Sequence, residues 1–153
     1  MNFKLINSLV ITNICQQNTD KYEICSHIGL TSLEDVMFHH YAGLDPIDQI
    51  KFIAERGFSG IEDNFLKLRP VDVQEKIGKE LAKHNLQMGC FVDNLIFDRL
   101  TFVSDSNEAK ELLLQQLRET IEVAKRVNGK YATVLSGVLD SSLERDSQTA
   151  NMV

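Results

Sequence analysis

Glu62, Asp63 and Asn64 stand in a row directly after the apolar stretch "FSGI". A strand that ends in two carboxylates and an amide delivers polar groups to a place where a small substrate can be held. A carboxylate accepts a proton or orients a cation, and an amide fixes a hydroxyl. His27 lies in an earlier alternating stretch, "YEICSHIG", and adds an imidazole that can donate or accept a hydrogen bond. Asp93 and Asn94 follow a third stretch, "LQMGCFV", and Ser136 with Gly137 close a fourth, "YATVLSG". Glu62, His27, Asn64 and Asp93 are the candidate substrate-binding residues; the residue types single out no acid, base or metal ligand. Each has a plainer alternative. Glu62 pairs with a nearby Lys or Arg, His27 is a hydrogen-bonded packing residue, and Asp63, Asn64, Asp93 and Asn94 form turns. Lys67 and Arg69 either attract a carboxylate or phosphate or, as the plainer reading has it, lie exposed where a helix begins. His39 and His40 are adjacent, point in different directions and do not suit one metal ion.

Four elements must position these groups. Residues 22–29, 58–64, 86–92 and 131–137 read as strands, the third as a run buried on both faces, with Met88 and Phe91 in the core. Asp45 and Pro46 start a helix that buries Ile47, Ile50, Ile53 and Ala54 and stops at Gly57. Pro70 starts a second, with Val73, Ile77 and Leu81 inward and His84–Asn85 at its end. Ser104, Asp105 and Ser106 offer caps for a long third helix over 107–127. Its inward residues are read as Leu113, Leu117, Ile121 and Ala124, and Asn128–Gly129 stop it. Residues 30–44 are a long connection with a short helical turn, and another helix begins near Glu144. Residues 1–20 carry no pattern and are expected to be loosely structured; 21–153 form one domain. Strands alternating with helices predict an α/β fold with a parallel sheet. No strand-to-helix turn carries GxGxxG or GxxxxGK[ST]. The polar strand ends therefore favour parallel βα repeats forming about half of a (β/α)8 TIM barrel over a nucleotide-binding open sheet.

The 153 residues are 43% hydrophobic and 25% charged, with a formal net charge of −6. That balance disfavours nucleic acid and anionic membrane as partners, since both reward clustered Lys and Arg. Cys15, Cys25 and Cys90 make an odd count without CxxC spacing, which predicts reduced thiols and a cytoplasmic setting. Cys90 reads as a small hydrophobe. The start "MNFKLINSLVITNIC" is a poor signal peptide, broken by Asn7 and Asn13; export is the alternative.

Three stretches carry a family resemblance: "AGLDPIDQIKFIAERGFSGIEDN", "RPVDVQEKIGKELAKHNLQMGCFV" and "AKRVNGKYATVLSG". Together they resemble the first half of hydroxypyruvate isomerase-like proteins, in the xylose isomerase-like TIM-barrel superfamily of sugar isomerases and epimerases. The resemblance covers about residues 22 to 150. It implies an isomerase or epimerase of a small hydroxy-carbonyl compound that uses a divalent metal, Mg or Mn. It also implies that the metal ligands lie on later strands, so that none falls on a numbered position here and the chain is an incomplete barrel. A nuclease similar to endonuclease IV would need strand-end histidines, and strand three ends in Val92-Asp93-Asn94 instead. The remaining alternative is a non-catalytic half-barrel. Its exposed edges, strands one and four, would self-associate as a homo-oligomer or recruit a complementary half-barrel.

Overall fold

The computed structural model describes residues 24–93 and 98–152; Cys15, Asn94 and the expected loose segment lie outside them. The element order is β1 (Cys25–His27), α1 (His39–Ala42), α2 (Pro46–Glu55), β2 (Gly60–Asp63), a 3-10 turn (Leu66–Leu68), α3 (Val71–His84), β3 (Gln87–Val92), α4 (Asn107–Val127), β4 (Ala132–Thr133) and α5 (Arg145–Asn151). The four strands make one sheet in the order β1-β2-β3-β4, and every neighbouring pair is parallel. Such an order winds in one direction only, with each helix carrying the chain back to the amino end of the next strand.

Local chemistry fixes the helix ends. The Asp45 carboxylate accepts from Ile47 N at 2.8 Å and Asp48 N at 3.4 Å, with Pro46 at the first helical position. Ser106 Oγ accepts from Ala109 N at 3.1 Å and caps α4. Asn85 and Asn128 close α3 and α4 in the left-handed conformation, at φ 54° and 53°. The core lies between sheet and helices: Ile28, just after β1, and Ile61, Met88 and Phe91 from the strands meet Ile50, Ile53, Ile77, Leu81 and Val123 from the helices. Gly78 lets α3 and α4 touch, because a Cβ there would strike the backbone carbonyl of Arg126.

Two expectations are corrected. α4 has the anticipated length and Ala124 packs against the core as read, but the rest of its inward face differs. Ala109, Thr120, Val123 and Val127 are buried, whereas Leu117 and Ile121 are 39% and 53% exposed. Rows at four-residue steps drift about 40° each around a helix, so the row 113-117-121 spirals off the core. The Gly78 contact and the Arg126–Gln74 hydrogen bond (3.0 Å) set the helix rotation instead. Strand four is also shorter than read. Gly137, at φ 74°, pairs antiparallel with Leu100 and turns the chain aside, and a Cβ there would collide with Arg99 and Thr101.

Candidate functional site at the carboxyl rim

Alternation splits each strand between two faces. Ser26, Ile28 and Ile61 face the helices and are buried; Cys25, His27, Gly60 and Glu62 therefore lie on the opposite face. The register pairs His27 with Glu62, making an imidazole and a carboxylate neighbours near the carboxyl ends of β1 and β2. Between the pairs Ile61–Met88 and Asp63–Phe91, β2 has one residue and β3 has two, so Gly89 and Cys90 together oppose Glu62 in a β-bulge. A Cβ on Gly89 would stand 3.4 Å from Glu62 Cγ and 3.6 Å from Cys25 Sγ. The glycine thus leaves the space over which Glu62 lies. His27 and Glu62 are both half-buried, and none of the ion pairs among the described residues includes Glu62. Cys90 is half-buried too, with Sγ 3.0 Å from Thr133 Oγ1, so it is a hydrogen-bonding thiol as well as a packing group.

The two aspartates at strand ends point the other way. Asp63 is fully buried among the helices; its Oδ2 accepts from Arg69 Nε at 2.5 Å and its Oδ1 from Phe65 N at 3.1 Å. Arg69 also donates from Nη2 to the carbonyl of Ile28 at 2.6 Å, which ties the ends of β1 and β2 together. Burial raises the Asp63 carboxyl above its usual range, and the Arg69 guanidinium pulls it back. Gly29 is required beside this pair, because a Cβ there would collide with Asp63 Oδ1. Asp93 is 1% exposed, accepts from Thr120 Oγ1 and lies 3.6 Å from Lys67 Nζ. Lys67 further donates to the carbonyl and side-chain oxygen of Gln116, both at 3.0 Å. Lys67, partly buried, and Arg69, buried, are therefore internal partners, which corrects the exposed helix start read for Arg69.

Asn64 is at the rim, with its side-chain amide donating to the Leu30 carbonyl at 2.9 Å and its N–H to the Gly29 carbonyl at 2.8 Å. It lines a cleft of about 420 Å³ together with Leu30, Thr31, Phe65, Val92, Thr133 and Leu135. Of the four candidates, His27 and Glu62 come together on the open face, Asn64 walls the cleft, and Asp93 turns into the helix layer. Asp35 shapes one wall: it accepts from Thr31 N at 3.0 Å and Thr31 Oγ1 at 2.7 Å, and these bonds hold its carboxyl below the usual range. Thr31, Phe65 and Thr133 carried no sequence signal, since only the fold brings these distant positions to one cleft. Ser136 is exposed and its carbonyl accepts from Thr101 Oγ1 at 2.8 Å, while Gly137 packs tightly. His39 and His40 sit on α1 with ring centroids 3.8 Å apart. A second cleft, of about 400 Å³, lies at the opposite end of the sheet beside Gln87, Asn128, Lys130 and Tyr131.

Among the described residues no three His, Cys, Asp or Glu side chains gather to hold a metal ion. Asp63 and Asp93 face inward and are held by Arg69 and Lys67, leaving His27 and Glu62 as a two-donor pair at the rim. These donors do not fit a divalent cation. Among the described residues no helix is long and apolar enough to cross a membrane. No family model matches the chain, and no curated protein matches it.

Proposed function

We propose that the chain forms the first four βα units of a (β/α)8 barrel of the hydroxypyruvate isomerase-like kind, and that its carboxyl rim holds a small hydroxy-carbonyl compound for isomerisation or epimerisation. The observation that carries the reading is the register pair His27–Glu62 on the face away from the helices, near the carboxyl ends of parallel strands, the end at which Asn64 lines a cleft that His27 and Glu62 do not themselves line. Glu62 accepts a hydrogen bond from a substrate hydroxyl. His27, when its rim-facing nitrogen carries the proton, donates to the neighbouring carbonyl oxygen. Holding both oxygens fixes the two carbons between which the proton moves. Thr31 and Thr133 supply further hydroxyls at the cleft, and Leu30, Val92 and Leu135 exclude water on its apolar side. The metal used by such enzymes finds no complete donor set among the described residues, so the role read for them is substrate positioning.

Calorimetric titration with hydroxypyruvate tests this. The reading expects measurable binding that weakens about tenfold in Glu62→Gln or His27→Ala, the loss of one hydrogen bond to a charged or polar group. Binding unaltered in both variants sinks it.

A further inference from the structure

Thr31 and Asn64 both line the rim cleft, and each has a donor committed to the protein. The Thr31 hydroxyl donates to Asp35 Oδ2 at 2.7 Å, and the Thr31 N–H donates to the same oxygen at 3.0 Å. These bonds, and more weakly the charge of His27, hold the Asp35 carboxyl below its usual range. Asp35 is therefore ionised at neutral pH and only accepts, so the shared proton is the one on Thr31. What the Thr31 hydroxyl has left for a ligand is its lone pairs. The Asn64 side-chain nitrogen donates to the Leu30 carbonyl at 2.9 Å, which turns its oxygen away from that carbonyl. The loop is closed by the Leu30 N–H on the Asp35 carbonyl at 3.3 Å, and the Met37 N–H on the His27 carbonyl at 3.2 Å returns it to β1. Thr31 and Asp35 are thus held at the end of the sheet where His27 pairs with Glu62. Lys67 and Arg69, the cations that follow β2, are turned to Asp93 and Asp63.

We propose that Thr31 determines specificity at the rim, as the acceptor for a second hydroxyl of the substrate, and that Asp35 is the positioning residue that makes it an acceptor. The proposal rests on the reading of the rim given above, in which Glu62 takes the first hydroxyl. A hydroxyl has one proton to donate, so Glu62 and Thr31 together require two hydroxyls on the ligand. A compound with a hydroxyl on each side of its carbonyl satisfies both. A compound with a carboxylate in the second place offers Thr31 no proton and brings its charge toward Asp35. The rim therefore prefers dihydroxyacetone to hydroxypyruvate, two three-carbon compounds that differ at that one end.

Calorimetric titration of the full chain with both compounds tests it. The unaltered chain should bind dihydroxyacetone about tenfold more tightly than hydroxypyruvate. Thr31→Val keeps the shape of an exposed side chain and removes its hydroxyl. It should erase the preference by weakening dihydroxyacetone while hydroxypyruvate is unchanged; a merely structural role would weaken both alike. Asp35→Ala should narrow the preference from the other side. It frees the Thr31 proton to donate to a carboxylate and removes the repelling charge, so hydroxypyruvate should gain affinity. An equal or opposite preference in the unaltered chain, or one that survives Thr31→Val, overturns the proposal and leaves the isomerase reading standing. Hydroxypyruvate that gains nothing in Asp35→Ala overturns the role given to Asp35. Binding of neither compound overturns the proposal and the isomerase reading together.

Discussion

Arg69 is the residue on which the rim depends most. It is 7% exposed, pairs with a fully buried Asp63 and donates to the Ile28 carbonyl at 2.6 Å. Arg69→Met leaves a buried carboxylate without its counter-charge, and denaturant unfolding at pH 7 should show a loss of about 3–5 kcal/mol. The sign of its pH dependence follows. Burial already raises Asp63, and without Arg69 it rises further, so the folded variant binds its proton at a pH where the unfolded chain does not. The variant should regain stability as pH falls from neutral toward the ordinary carboxylate range; a penalty that grows on acidification contradicts this. Asp35 behaves in the opposite sense. Its carboxyl is lowered by Thr31, so the loop bond is present above the ordinary range and lost as pH falls below it. A carboxyl-carbon NMR titration should place the Asp35 midpoint below that of an unstructured aspartate, and Thr31→Val should bring it back toward it.

At the scale of elements, the helix ends were legible because their hydrogen bonds are local: Asp45 with Pro46, Ser106, Asn85 and Asn128 all act within a few residues. The inward face of α4 was not. Its rotation is set by Gly78, far off in sequence, where the absent Cβ admits the Arg126 carbonyl. Gly78→Ala should therefore lower stability by about 1–3 kcal/mol, although alanine is the better helix former by about 1 kcal/mol; a thermal melt showing stabilisation would refute the close contact. The fates of Lys67 and Arg69 were equally hidden, since their partners Asp93, Gln116 and Ile28 are distant in sequence and meet them only once the sheet forms. Likewise strand alternation pointed to inward and outward residues at 62–64, but only the register with β1 and β3 shows that Glu62 is on His27's side and Asp63 is not.

For the whole molecule, the parallel alternation of strands and helices was readable from the chain, and the one-way order β1-β2-β3-β4 agrees with it. The exposed edge expected at strand one is partly covered: the Met37 N–H donates to the His27 carbonyl at 3.2 Å, so the following loop lies along it. The central claim concerns the end of the molecule where strand ends share a rim. Amide and imidazole NMR shifts followed during titration with hydroxypyruvate test it most directly. Perturbations should gather at His27, Thr31, Glu62, Asn64, Gly89 and Thr133. Perturbations centred instead on Asn85, Lys130 and Tyr131, in the cleft at the opposite end, would contradict it.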